Sequence, residues 1–282
     1  MAITGAFPSD KRRGADYLLS AGDWARAVYA NEDAIRHYER ALRTLAGCLD
    51  CSRQAATVQE RLGDLLALTG RREEALAHYE AARQEHEIQL EAAGAARLHR
   101  KIGGLHWETG DRERARACFA RGLERLGEDG DPIERAQLFQ EVGRLAFRTG
   151  DNGGAIAWAK QALAEAEKAQ DAVAGSERAR EAIVTRAQAY NTLGVALART
   201  GQLEEAVEQI ERSVALADTH DLPATCRAYA NLGVLYSSRD PQRSIETCLK
   251  GLATAKKVGD LGFQSRALCQ PGGRLLLAHG PL

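Results

Sequence analysis

The chain has few aromatic residues, few prolines and no long hydrophobic run. Aromatics make up 5% of its 282 residues, and there are only six prolines. No segment alternates apolar and polar residues for long enough to predict a β-sheet. The longest late apolar run, residues 275–278, is too short to span a bilayer, and the first 14 residues lack the apolar core of a signal peptide. We therefore expect no membrane association and a cytoplasmic protein.

A charge excess of either sign is also missing. The 38 basic and 39 acidic residues give a formal net charge of −1, so no overall field attracts nucleic acid, which is disfavoured as a partner. Six cysteines in so long a chain do not form the pattern of a secreted disulfide framework. Alanine and leucine, both strong helix formers, dominate the 44% of hydrophobic residues. The composition predicts an all-α protein.

A glycine recurs along the chain at nearly regular intervals. The spacings are 41, 40, 40, 51, 39 and 40 residues, between Gly22, Gly63, Gly103, Gly143, Gly194, Gly233 and Gly273. The four members from Gly63 to Gly194 open one phrase, in which a second glycine follows seven residues later and an alanine five residues after that. A period of this size is typical of a solenoid built from repeated structural units.

Residues 56–85 illustrate one repeat. Apolar residues at helical spacing lead to Gly70, which ends a first helix, and a second helix begins near Arg71. A glycine inside a helix costs about 1 kcal/mol relative to alanine, so its recurrence at one phase indicates a packing requirement. We predict that Gly63 and Ala75 let the two helices approach closely, with Tyr79 filling the space beyond.

These residues resemble the tetratricopeptide repeat, which has Leu-Gly in helix A and an alanine, an aromatic residue and a second small residue in helix B. The helix B slots are Ala34/Tyr38/Ala41, Ala75/Tyr79/Ala82, Ala115/Phe119/Gly122, Ala155/Ala159/Ala162, Ala206/Ile210/Ser213 and Ser244/Cys248/Gly251. The aromatic slot of helix A holds Phe139, Tyr190 and Tyr229. The resemblance implies a right-handed superhelical solenoid of antiparallel helix pairs, with about six and a half repeats of about 40 residues.

The domain organisation follows from this register. Residues 1–13 are expected to form a flexible N-terminal segment, and residues 14–282 the solenoid. The 51-residue interval predicts a longer helical junction near 164–190, with its turn at Gly175-Ser176. The last repeat, 264–282, is incomplete, so we expect its helix to pair with another chain or the chain to be part of a longer protein.

Two turns depart from the repeat pattern. Tyr29 stands where the turn glycine is expected in the first repeat, and Asp240-Pro241 supplies the turn of the sixth by a different route. The segment around the first turn, AGDWARAVYANEDAIRHYERALRTL, is similar to the first repeats that follow the ATPase module of bacterial multidomain signalling ATPases. That resemblance covers about residues 14–44 and implies a sensor or scaffold arm whose catalytic parts lie elsewhere.

Motifs for catalysis are missing. The sequence has no Gly-Lys-Ser/Thr phosphate loop, no G-x-S-x-G elbow and no H-E-x-x-H zinc helix, so we predict neither an enzyme nor a cofactor. Cys48 and Cys51 have the spacing of half a zinc site or a redox pair, but without further ligands we interpret them as incidental linker residues, with redox sensitivity as the alternative. His99 and His106 fall on packing positions of one helix and are interpreted as core residues.

Positions counted from the repeat glycine are expected to line a concave groove that binds a partner. The candidates are Arg97, Arg100, Trp107, Gln140, Arg144, Phe147, Arg148, Asn191, Arg199, Arg227 and Asn231, with Glu60, Asp64 and Glu108 beside them. Guanidinium groups suit carboxylates, aromatic rings suit anchor side chains, and amides can satisfy the backbone of an extended chain. An arginine-rich face that is merely solvated would have the same composition.

The favoured function is therefore a noncatalytic scaffold that binds protein or peptide, as a regulatory arm in bacterial signalling, with an acidic extended segment in its groove. A small-molecule sensor is one alternative. Self-assembly into a homo-oligomer through the unfinished C-terminal helix is the other.

Overall fold

The structure is a computed structural model that describes residues 8–172, 177–220 and 225–258. Every regular element in these ranges is helical, with a short 3₁₀ turn at Leu49–Cys51. The twelve α-helices are α1 (Pro8–Ala27), α2 (Asn31–Leu45), α3 (Ser52–Leu68), α4 (Arg72–Ile88), α5 (Ala92–Glu108), α6 (Arg112–Leu126), α7 (Pro132–Thr149), α8 (Asn152–Ala172), α9 (Glu177–Arg199), α10 (Leu203–Thr219), α11 (Thr225–Tyr236) and α12 (Pro241–Val258).

Consecutive helices pack in pairs, α1 with α2 and so on to α11 with α12, which confirms the all-α repeat solenoid. We call the first helix of each pair helix A and the second helix B. The chain forms two compact units, Met1–Gly130 with α1–α6 and Asp131–Leu282 with α7–α12. Because α1 begins at Pro8, residues 8–13 are helical, in contrast to the predicted flexible segment at 1–13. Lys11 at this end donates to the carbonyl of Ala46.

The small and aromatic slots of helix B form the core of every described pair, as predicted. All eighteen slot residues are buried, from Ala34, Tyr38 and Ala41 in α2 to Ser244, Cys248 and Gly251 in α12. Small side chains at one face of helix B let helix A approach, and the central residue fills the space that remains. The period of the sequence therefore identifies the core correctly.

In the early repeats the glycine makes room for the aromatic side chain of helix B. A Cβ atom added to Gly63 would lie 2.7 Å from the ring of Tyr79, and one added to Gly103 would lie 2.5 Å from the ring of Phe119. The ring of Tyr79 therefore lies directly on Gly63, which corrects the position beyond the helix contact that we predicted for it. In later repeats the backbone of the helix B alanine also lies beside the glycine. A Cβ at Gly194 would meet the side chain of Ile210 and lie 2.9 Å from the carbonyl oxygen of Ala206, and one at Gly143 would lie 3.6 Å from that of Ala155.

The tight turns inside the pairs share one backbone geometry. The residue after helix A has a positive φ at Gly70, Gly110, Gly150 and Gly201, and Tyr29 adopts the same conformation with φ of 62°. In each case the next amide donates to a carbonyl five residues earlier, as Arg71 does to Leu66. Tyr29 therefore replaces the turn glycine in conformation as well as in sequence.

Leu90 is the second residue other than glycine with a positive φ, 57°, in the described part of the chain. It ends α4, and its side chain is 90% exposed. Left-handed backbone costs an L-residue with a side chain about 1–2 kcal/mol, and the greater unfolded-state freedom of glycine offsets part of that. We predict that Leu90→Gly raises the free energy of unfolding by about 0.5–1 kcal/mol.

Urea denaturation followed by circular dichroism measures this change. The matched control is Gly110→Leu, which introduces the same strain at an exposed turn with φ of 86° and should lower the free energy of unfolding by about 1 kcal/mol. A Leu90→Gly protein that is less stable than the parent would contradict the prediction.

The irregular repeats differ in helix length and capping. The 51-residue interval is taken up by α8 and α9, of 21 and 23 residues, which are the longest helices described. The predicted turn at Gly175-Ser176 lies outside the described residues, as does the incomplete repeat at 264–282. Asp240, at the predicted Asp240-Pro241 turn, caps α12 by accepting from the amide of Arg243, and Pro241 is the first residue of that helix.

Candidate functional site

In the second unit, helices α7, α9 and α11 lie side by side and carry eight of the predicted site residues. Arg199 of α9 lies over the ring of Phe147 in α7, with its Cζ atom 4.2 Å from the ring centroid. Phe147 is half-buried, whereas Arg199 is exposed. The contact joins the two helices at the surface and fixes the position of a guanidinium group.

The two asparagines connect α9 to α11. Nδ2 of Asn231 donates to Oδ1 of Asn191 over 2.8 Å, and both side chains are half-buried. An asparagine amide offers two N–H donors and two lone pairs, so one mutual bond leaves most of this capacity available for a third group. The pair can therefore present donors and acceptors to an extended backbone.

Three more arginines and a glutamine complete the set in this unit. Arg144 is half-buried and donates to Glu141 of its own helix over 2.9 and 3.0 Å. Arg148 and Arg227 are exposed. Gln140, by contrast, is only 2% exposed and donates to Oγ1 of Thr192 over 2.9 Å. Its amide therefore joins α7 to α9 inside the unit instead of facing a partner, which corrects its assignment to the groove surface.

In the first unit the charges expected to line the groove bind one another. Arg97 forms a bidentate pair with Glu60 at 2.7 and 2.9 Å, and Lys101 reaches Glu60 at 2.7 Å and Asp64 at 2.6 Å. Burial alone would raise the pKa of Glu60, but the hydrogen bonds and charges of Arg97 and Lys101 outweigh it and lower the pKa to about 2. The carboxylates of Glu60 and Asp64 are thus neutralised by cations of the next repeat.

The other two candidates of α5 are half-buried. Arg100 lies one turn from Arg97, and Trp107 has the guanidinium carbon of Arg112 at 6.0 Å from its ring centroid. Glu108, at the end of the helix, contacts Arg72 of α4 at 3.3 Å. These groups belong to the first unit, so we treat them separately from the face on α7, α9 and α11.

A tyrosine–aspartate pair within each early repeat was missed by the sequence reasoning. The hydroxyl of Tyr79 donates to Asp64 over 2.8 Å, and that of Tyr38 donates to Asp23 over the same distance. Burial, with the adjacent Asp23, raises the pKa of Tyr38 to about 12. The sequence held a signal for the pair, because aspartate follows the repeat glycine where the helix B slot is tyrosine, whereas Gly104 follows it where the slot is Phe119.

A cavity of about 490 Å³ lies among α4, α5 and α6 of the first unit. Its lining is polar: Arg83, Glu87, His99, Arg121, Glu124 and Arg125. Arg83 contacts Glu80 and Glu87 at 2.7 Å, and burial lowers the pKa of His99, which is only 4% exposed. The charges at the floor of the cavity are therefore already paired, and His99 lies in the interior as predicted.

The cysteine pair forms a disulfide, and the described residues contain no group of metal ligands. Cys48 and Cys51 are joined by a disulfide at the turn that precedes α3, where Cys51 is buried, so the pair matches the redox alternative rather than the incidental linker residues that we favoured. Within the described ranges, no three His, Cys, Asp or Glu side chains are grouped as metal ligands would be. None of the helices described has the length and hydropathy of a membrane span.

The fold defines a helical-repeat protein of the kind that serves as an interaction scaffold. Two tetratricopeptide-repeat family models match residues 100–172 and 185–257, together just over half of the chain. The chain therefore belongs to the tetratricopeptide-repeat family. A search of curated proteins found no significant match.

Solved structures with the same fold have low sequence identity. The APC/C hetero-tetramer Cut9–Hcn1 aligns with a TM-score of 0.67 at 17% identity, over 91% of this chain but only 42% of that one. The Rap conjugation gene regulator of plasmid pLS20, in complex with the Phr* peptide, aligns with a TM-score of 0.63 at 17% identity, over 99% of this chain and 80% of its own. The apo form of RapI aligns with a TM-score of 0.61 at 15% identity, over 94% and 99%.

Proposed function

We propose that the chain is a noncatalytic scaffold that binds an acidic, extended protein segment on the face formed by α7, α9 and α11. The observation that carries the proposal is the side-by-side placement of its contact groups. The Phe147–Arg199 contact links α7 to α9, and the Asn191–Asn231 hydrogen bond links α9 to α11. One face thus offers a half-buried ring, fixed amides and several guanidinium groups.

Each kind of group has a role toward such a segment. Guanidinium groups of Arg144, Arg148, Arg199 and Arg227 suit carboxylates, and a guanidinium held in place loses less freedom on binding. The ring of Phe147 suits an apolar anchor side chain. An extended segment of about ten residues spans roughly 33 Å, enough to cross three helices packed about 10 Å apart.

The family and its relatives support this reading. The fold of the chain is similar to that of a Rap regulator solved with a bound Phr* peptide. Together with the resemblance of the first repeat to arms of signalling ATPases, this similarity supports a cytoplasmic regulatory arm in bacterial signalling. Arg97, Arg100 and Trp107 of the first unit remain proposed partner contacts of that unit, separate from the face on α7, α9 and α11.

Charge reversal on the face tests the proposal. The probe is a fluorescent peptide of about ten residues that carries five glutamates and a leucine, a length that matches the face. We expect Arg148→Glu plus Arg199→Glu to weaken its binding at least about tenfold, because two attractive contacts become repulsive. Fluorescence anisotropy at low and high salt measures the change, and the affinity of the parent should fall as salt rises.

The matched control is Lys160→Glu plus Lys250→Glu, which makes the same change in net charge at exposed positions of the helix B layer in the same unit. This control should bind as the parent does. A second peptide with glutamine in place of glutamate distinguishes recognition of the negative charges from nonspecific binding. Equal binding of the two peptides, or equal loss in both double variants, would refute the proposal.

A further inference from the structure

Helix α1 exposes two aromatic residues at positions that are buried in the other helices A. Five residues before the repeat glycine, α1 has Tyr17, which is 73% exposed, and two residues after it Trp24, which is 70% exposed. The first position is filled in the other helices A by residues with 0% exposure: Val58, Leu98, Leu138, Ala189 and Ala228. The second is filled in the next four by residues no more than 6% exposed: Leu65, Leu105, Leu145 and Ala196.

The same two positions show what such a face normally contacts. In α3, Val58 and Leu65 belong to one hydrophobic cluster with Ile35 and Leu45 of α2, the helix B that precedes it. Helix α5 packs likewise on α4. The face of α1 that carries Tyr17 and Trp24 is therefore a helix-packing surface without a helix on it in the described part of the chain.

The arrangement of residues on this face is self-complementary. Tyr17 and Trp24 are seven residues apart, which is two turns and about 10 Å along one side of the helix. Between them, on the same side, lie the small residues Ser20 and Ala21. If a second α1 crosses antiparallel about a two-fold axis at Ser20–Ala21, each tyrosine lies opposite the tryptophan of the other copy, and the small residues let the backbones approach.

We propose that a second copy of this chain docks on the Tyr17–Trp24 face of α1 in an antiparallel, two-fold arrangement. Arg13 of each copy then lies beside Val28 and Tyr29 of the other, where a cation can contact the tyrosine ring. Val28 and Tyr29 are 51% and 89% exposed, so the contact covers four apolar side chains per copy. This interface differs from the one predicted at the C-terminal segment, and it is independent of the proposed peptide face.

The area available sets the strength of the contact. Large aromatic side chains bury about 150–250 Å² each, so the four exposed apolar residues supply about 500 Å² per copy and about 1,000 Å² in total. That total lies at the low end for a specific interface and is typical of weak association. We expect a reversible dimer with a dissociation constant of about 10–100 µM.

Sedimentation velocity of the full chain tests the dimer at loading concentrations from about 1 to about 200 µM, which bracket the expected dissociation constant. Tyr17→Glu plus Trp24→Glu should leave only monomer at every concentration, since charges cannot be buried in this contact. Tyr17→Gln plus Trp24→Gln should weaken it at least tenfold and serves if the glutamate variant is poorly folded by circular dichroism. The matched control is Leu68→Glu plus Ile88→Glu, at residues 71% and 75% exposed in the same unit, and it should dimerise as the parent does.

Cysteine cross-linking tests the orientation. A cysteine at Ser20 lies next to the two-fold axis and should form a disulfide-linked dimer under mild oxidation. A cysteine at Arg13 should not, because its two copies would be about 22 Å apart along the helix axes. A parent protein that stays monomeric at the highest concentration, a dimer insensitive to both Tyr17/Trp24 variants, or efficient cross-linking at position 13 would overturn the proposal.

Discussion

Replacing Gly103 with alanine is expected to lower the free energy of unfolding by about 1 kcal/mol, although alanine is the better helix former. The added Cβ would lie 2.5 Å from the ring of Phe119, which is only 2% exposed, so the ring can yield only by disturbing the packing around it. Overpacking of this kind costs about 1–3 kcal/mol, which exceeds the gain of about 1 kcal/mol in helix propensity.

The neighbouring residue provides a matched control in the same helix. A Cβ at Gly104 would meet nothing within 4 Å, so Gly104→Ala should raise the free energy of unfolding by about 1 kcal/mol. Urea denaturation of both single variants measures the contrast. If Gly103→Ala is as stable as Gly104→Ala, the contact between the repeat glycine and the ring does not govern the packing.

A double-variant cycle identifies the group responsible. Phe119→Leu removes the ring edge that faces Gly103, so Gly103→Ala should be less harmful in that background by about 1 kcal/mol or more. If the effects of the two substitutions are additive, the loss of stability in Gly103→Ala does not come from its contact with Phe119.

Replacing Glu60 with glutamine is expected to lower the free energy of unfolding at neutral pH by about 3 kcal/mol. The carboxylate is 9% exposed and binds both Arg97 and Lys101, and its loss leaves two partly buried cations without their acceptor. Breaking a buried pair at one partner is costly because the other charge stays desolvated.

Glu60 also makes the free energy of unfolding depend on pH in the acidic range. The pKa of Glu60 is lowered from 4.5 to about 2 in the folded chain, so the folded state binds fewer protons than the unfolded state between these values. The ionised carboxylate of Glu60 therefore contributes about 3 kcal/mol to the free energy of unfolding. This contribution is complete above pH 4.5 and is lost as pH falls through about 2. The parent should lose stability more steeply than Glu60→Gln between pH 5 and pH 2.

Denaturation at several pH values measures this difference. Glu74, an exposed carboxylate paired with Arg71, is the control, and Glu74→Gln should follow the pH profile of the parent closely. Parallel profiles for the parent and Glu60→Gln would show that the Glu60–Arg97–Lys101 cluster does not stabilise the fold.

Much of the fold could be predicted because its determinants are local and periodic. The spacing of Gly63, Gly70 and Ala75 marks helix A, turn and helix B, and the same phase placed every slot residue of helix B in the core. Tyr29 was correctly assigned to a turn position, because it stands where the other repeats have the turn glycine, and its φ of 62° is in the same region as theirs. One detail was wrong: the ring of Tyr79 lies directly on Gly63 instead of beyond the contact between the two helices.

The candidate site was less accessible to sequence reasoning. A shift of one residue turns a helix position by about 100°, so counting from the glycine placed Gln140 at the surface although it lies beneath it. Lys101 was overlooked because its partners Glu60 and Asp64 are about 40 residues away, one repeat earlier. By contrast, the two asparagines were assigned to the same groove, and the structure places them within hydrogen-bond distance of each other.

The sequence by itself determined the all-α class, the order of the helix pairs and the core residues between the two helices of a pair. It could do so because the helical period, the turn glycines and the small residues at the helix contacts are local features that extend over a few residues. Only the tertiary structure decided which charges are neutralised and which remain at the surface. Arg97 and Lys101 bind Glu60, whereas Arg199 is held over Phe147. The physical reason is that these pairings join helices of different repeats, whose relative rotation follows from packing and leaves no local mark in the chain.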